Sequence, residues 1–77
     1  MGRRRRYALQ KIDSLAEKIE GHIEKMRAEP FSVAYNHWRR EVRGWIMQVV
    51  TLSRHVGTRT AMEVATRVEQ WKKQSDD

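Results

Sequence analysis

The chain has no cysteine among its 77 residues. Disulfides and thiolate metal sites are thereby excluded, and an intracellular, cytoplasmic setting is the expectation. A single proline, Pro30, and four glycines leave few points at which regular structure must break. No apolar run approaches the roughly 20 residues of a membrane span. The longest, Trp45-Ile46-Met47, resumes only after Gln48 with Val49-Val50. No apolar stretch follows the basic start, so a secretory signal is not expected. Met1-Gly2 opens like a myristoylation motif, but Arg6 stands where Ser or Thr is preferred. Catalytic signatures are missing as well. There is no Cys nucleophile, no Gly-rich phosphate loop and no G-x-S-x-G turn, and Ser14, Ser32, Ser53 and Ser75 lack a plausible base nearby in sequence. So small a bundle leaves little volume for a closed pocket. Neither an enzyme nor a cofactor is expected.

What remains is a globular composition, 39% hydrophobic and 34% charged, too apolar and too periodic for a disordered chain. The length allows one domain, which buries only about 60–65% of its unfolded surface and is marginal alone. Small helical proteins often offset this by pairing with a copy or a partner.

Three amphipathic segments follow from the spacing of apolar residues. In the first, Tyr7 to Ala28, the seam is Leu9, Ile12, Ala16, Ile19, Ile23 and Met26, spaced alternately three and four, with Leu15 widening it. Gly21 weakens this helix by roughly 1 kcal/mol relative to Ala. Pro30 closes it, because the residue before a proline disfavours the helical conformation. The second segment has the strongest stripe: Tyr35, Trp38, Val42, Trp45, Val49, Leu52 and Val56, broadened by Ile46 and Val50. Ser32 or Asn36 is its expected cap and Gly57 its stop, and Gly44 leaves room for a close-packed neighbour. The third carries Ala61, Val64, Val68 and Trp71, and Thr60 with Glu63 fits a capping box. No strand-type alternation occurs.

The expected fold class is therefore all-α: a small bundle of three helices, two long in a hairpin and one shorter. Residues 1–6 form a basic flexible arm, 7–73 the helical domain and 74–77 a polar tail. Helices of about 22 residues are roughly 33 Å long, and a third of about 14 leaves part of the seam uncovered. That favours completion by a homo-oligomer or a partner helix.

The net charge of +6 is unevenly spread: residues 1–11 carry +5, 12–29 carry −2, 30–57 carry +3 and 58–77 balance. Function is sought accordingly in two places. The first is the stretch from His37 to Trp45. Trp38 and Trp45 share one helix face, and Arg39, Arg40 and Arg43 form a cationic ridge beside it. The ridge either meets an acidic partner or pairs internally with Glu17, Glu20 and Glu24. The leading expectation is a non-enzymatic protein-binding module of the regulator, inhibitor or assembly-adaptor type, using the apolar seam with Trp38, Arg39, Arg40, Arg43 and Trp45. That type is an analogy from size and class. The second place is the arm Arg3, Arg4, Arg5 and Arg6. With Arg39, Arg40, Arg43 and Arg54 it suggests the alternative, a nucleic-acid binder contacting phosphates with little sequence specificity. Trp38 or Trp45 would then stack on a base.

His37 and Glu41, four apart, permit a bridged metal, but two ligands do not make a site, and His22 and His55 have no spaced partner. No metal is expected. A membrane-surface role is disfavoured, because the polar face of the first helix turns acidic after Lys11.

Overall fold

The computed structural model describes residues 2–76 and folds them into three α-helices: α1 (Gly2–Ala28), α2 (Tyr35–Leu52) and α3 (Thr58–Asp76). A 3₁₀ turn, Ser53–His55, follows α2 directly. Two of the expected boundaries move outward. The helix begins before Tyr7, so Arg3 to Arg6 form its first turns and not a separate arm. Arginine is a strong helix former, and neither Pro nor Gly interrupts the run, so a helix nucleated on the seam propagates through it. At the other terminus α3 continues through Ser75, which is buried and whose Oγ donates to the Lys72 carbonyl at 3.3 Å. Residues 74–76 of the expected polar tail are its last turn, and Asp77 lies outside the described residues.

The turn between α1 and α2 is built as Pro30 dictates. The Glu29 N–H donates to the Lys25 carbonyl, Ser32 N–H to the Glu29 carbonyl and Tyr35 N–H to the Ser32 carbonyl, at 2.9, 3.1 and 3.1 Å. Ser32 Oγ accepts from the Ala34 N–H at 3.1 Å, so it braces the turn ahead of the helix. The cap of α2 is Ala34, without a side-chain bond, so neither Ser32 nor Asn36 caps the helix as expected. At the far end, Thr51 and Ser53 hydroxyls donate to the Met47 and Val50 carbonyls. Val56 then takes an extended backbone that reverses the chain. No described glycine has a positive φ, so Gly57 is not a left-handed stop. α3 starts at Thr58, with Ala61 N–H donating to the Gly57 carbonyl, which leaves Thr60 inside the first turn and not at a capping box.

α1 and α2 pack as an antiparallel hairpin. His22 meets Trp45 and Glu41, and Lys25 lies over Trp38. α3 runs back antiparallel to α2 and parallel to α1, with Glu20 bonded to Arg67 and Trp71. The core joins Ala8, Ile12, Leu15, Ala16, Ile19, Ile23 and Met26 of α1 to Val42, Ile46 and Val49 of α2 and to Val64, Val68 and Trp71 of α3, with Val56 between. The expected seams face the core, although Leu9, Tyr35, Trp38, Trp45, Leu52 and Ala61 are only half-buried. Ile46 is buried and Trp45 only half-buried, because α2 sits in the angle between α1 and α3 and turns its 42/46/49 row inward. Val50, expected to widen the stripe, is 44% exposed.

With 19 residues α3 is about 28 Å long, enough to cover the seam. Ile12, Ala16, Ile19, Ile23 and Met26 of the α1 seam are at most 4% exposed in one chain, so α3 covers most of the seam from which oligomerisation was argued, while Leu9, Tyr35, Trp38, Trp45 and Leu52 stay half-buried. The bundle measures 45 × 18 × 15 Å, its length set by α1. A Cβ at Gly44 would meet nothing within 4 Å, so that glycine faces solvent and admits no neighbour.

Candidate functional site

The tryptophans expected to meet a partner are held between α1 and α2. Trp45 is half-buried, with the His22 ring edge-on at 4.7 Å and 82° and Lys18 Nζ 5.9 Å from its centroid. Trp38 packs against the core under Lys25 Nζ, 6.0 Å away. Lysine stems thus cover both rings, an arrangement that hides apolar surface while leaving the ammonium groups in water. Their main contacts are internal.

Asn36, Arg39, Arg40 and Arg43 line a shallow hollow on α2, Arg39 half-buried and Arg40 and Arg43 exposed. Of the acids expected to pair with this ridge, Glu20 turns to α3. Its Oε2 accepts from Arg67 Nη2 at 3.1 Å and from Trp71 Nε1 at 3.2 Å. Arg67 also stacks 5.1 Å from the Trp71 ring, so these three side chains tie α3 to α1. Glu24 lies beside a hollow shared with Gln74 of α3.

His37 Nε2 lies 2.9 Å from Glu41 Oε1, the contact their spacing permits. His22 was expected to border the α1 seam and to bond across the bundle, and the hairpin brings its Nε2 to 3.4 Å from the same oxygen. Among the described residues no group of three or more His, Cys, Asp or Glu side chains is arranged to hold a metal ion. No described helix is long and apolar enough to cross a membrane.

The nucleic-acid residues inferred from sequence divide between two regions of the bundle. Arg39 and Arg40 lie near the α1–α2 turn, and Arg54 is about 21 Å further along the axis at 1.5 Å per residue. Arg3 to Arg6 lie toward the same end of the bundle as Arg54, where Arg4, Tyr7, Ala8, Leu52 and His55 line one hollow. α1 and α3 are parallel, so the start of α3 comes to the same place and adds Arg59.

This end is a cationic pole. Residues 1–12 and 48–62 contribute Arg3, Arg4, Arg5, Arg6, Lys11, Arg54 and Arg59 and no Asp or Glu, whereas the rest of the chain sums to −1. These segments therefore carry +7, against a net +6 for the whole chain. α1 has no acid in its first turn, so its arginines oppose the positive end of its own dipole, at a cost to the fold and with a gain in local potential.

Within the pole an apolar groove of about 320 Å³ opens between α1 and α2, lined by Tyr7, Lys11, Met47, Gln48, Thr51 and Leu52. The hollow of Arg4, Ala8 and His55, about 250 Å³, adjoins it across Tyr7 and Leu52. Tyr7 is 61% and Met47 71% exposed. Sequence reasoning missed Tyr7, Met47 and Arg59. The available signal was Met47 standing off the core stripe of α2. No family model, no curated protein and no solved structure matches this chain, so its functional reading rests on these residues.

Proposed function

We propose that the chain is a non-enzymatic helical binding module that takes an acidic protein partner at its cationic pole. One observation carries this reading: at the end of the bundle where the cations gather, Lys11 and Arg4 line two adjoining, largely apolar hollows. Charge without apolar surface suits a phosphate backbone, and apolar surface without charge suits a second neutral protein. The combination matches interfaces in which Tyr, Met and Arg are enriched around an apolar centre. The buried seam and the internally packed tryptophans shift the partner surface away from α2's ridge and onto this pole.

The test is affinity capture from the native source, with and without nuclease, comparing the unaltered chain with the Arg3→Glu/Arg4→Glu/Arg5→Glu/Arg6→Glu variant. A partner retained after nuclease and lost on charge reversal supports the reading. Capture that persists in the charge-reversed variant overturns it. A second reading, phosphate binding, is favoured by the absence of any acid among the pole's seven cations. With about six phosphate contacts, affinity for duplex DNA would fall roughly 10³-fold between 50 and 200 mM salt. Loss of all captured material on nuclease treatment would select it.

A further inference from the structure

We infer that the groove between α1 and α2 receives a single acidic amphipathic helix, which seats two apolar side chains one turn apart and brackets them with carboxylates. This deepens the reading of the pole as a site for an acidic protein and rests on it. The two hollows provide the seats. On α1 the first is walled by Tyr7 and Lys11 and the second by Arg4 and Ala8, a displacement of three residues. On α2 the first reaches from Met47 to Leu52, and the second continues past Leu52 to His55. Both displacements are about one helical turn, the spacing at which a docked helix presents side chains three or four residues apart.

The charges stand at the ends of this track. Arg4 and Lys11, seven residues apart on α1, line the second and first hollow respectively. Seven residues are two turns, about 10.5 Å along the axis. A helix with carboxylates about seven positions apart on its docking face meets both cations while its apolar pair fills the seats. No acid of this chain lies in the pole to compete for them. Polyphosphate would meet the same cations but leave the exposed Tyr7 and Met47 uncovered. A second copy of this chain would bring its own uncompensated pole against this one.

The experiment uses the full chain and a labelled synthetic Ala-rich helical peptide. The peptide carries two leucines four residues apart, flanked by glutamates about seven apart. Fluorescence anisotropy is expected to show micromolar binding, absent when the glutamates become lysines or the leucines become alanines. Met47→Glu and Lys11→Glu, both surface changes checked by circular dichroism, are expected to weaken it at least tenfold. Val33→Glu, at the far end of the bundle, is expected to leave it unchanged. Binding that ignores Met47→Glu overturns the inference, as does no binding at millimolar peptide, peptide displacement by duplex DNA through the arginines alone, or self-association that closes the groove. If the peptide fails but Arg3–Arg6 charge reversal still releases the captured native partner, the groove inference falls and the pole reading stands.

Discussion

Trp71 is 3% exposed, yet its ring carries an N–H that must donate somewhere. It donates to Glu20, whose side chain is 55% exposed and also meets the 42%-exposed Arg67. Two interactions thus converge on one carboxylate and are separable by mutation. The ion pair is open to solvent and contributes about 0–1 kcal/mol. The indole bond matters more, because deleting the acceptor strands a donor at the edge of the core at a cost of about 1–3 kcal/mol. Glu20→Gln keeps an acceptor and loses only the ion pair, so a loss under about 1 kcal/mol is expected. Glu20→Ala loses both, and a loss of about 1–2 kcal/mol is expected once water partly rescues the donor. The order is diagnostic, because Ala is the better helix former and propensity alone would rank the two variants the other way. At this chain length each kcal/mol moves Tm by about 4–8 °C. Urea unfolding followed by far-ultraviolet circular dichroism measures both, and in a double-mutant cycle Glu20→Ala should cost less in a Trp71→Phe background, where no indole N–H is left to strand. A Glu20→Ala protein as stable as Glu20→Gln would refute the reasoning.

Three further outcomes are expected. Gly21→Ala and Gly44→Ala should each stabilise by about 0.5–1 kcal/mol, because a Cβ at either meets nothing within 4 Å; thermal melts check this, and destabilisation by either would mean that its helix face is occupied. Ile19→Ala, at a position with 0% exposure, should cost about 2–5 kcal/mol in chemical denaturation, while Phe31→Ser in the exposed turn should change stability by less than about 0.5 kcal/mol. Arg3→Glu and Arg5→Glu should each raise stability by about 0.3–1 kcal/mol at low salt by complementing the α1 dipole, a gain that fades as salt rises even though the same changes weaken partner capture.

Much of the architecture was legible because helix periodicity is a local property. The recurrence of Ile12, Ala16, Ile19, Ile23 and Met26 fixes the buried face of α1 with no knowledge of what covers it, and Pro30 sets its end through the conformation of Glu29 alone. The ends of the bundle were less legible. Whether Arg3–Arg6 and Gln74-Ser75 join their helices depends on cooperative propagation from the packed seam and, for Ser75, on burial against neighbours outside its own sequence window. The ranking of Ile46 above Trp45 was hidden for a related reason. Both lie on the apolar arc of α2, and only the direction from which α1 and α3 approach decides which points inward.

The sequence by itself determined three helices, their inward faces and an excess of positive charge, all set by spacing and side-chain chemistry. Tertiary structure alone decided where that charge collects. The hairpin brings Arg4 and His55 to one hollow, with Arg54 next in the chain, and the return of α3 parallel to α1 puts Arg59 toward the same end, so segments some fifty residues apart in sequence form one pole. It also decided that Glu20 serves Trp71 and Arg67 instead of the α2 ridge, and that Tyr7 and Met47 frame an open groove. These are relations between helices, and no single helix encodes the angle at which its neighbour arrives.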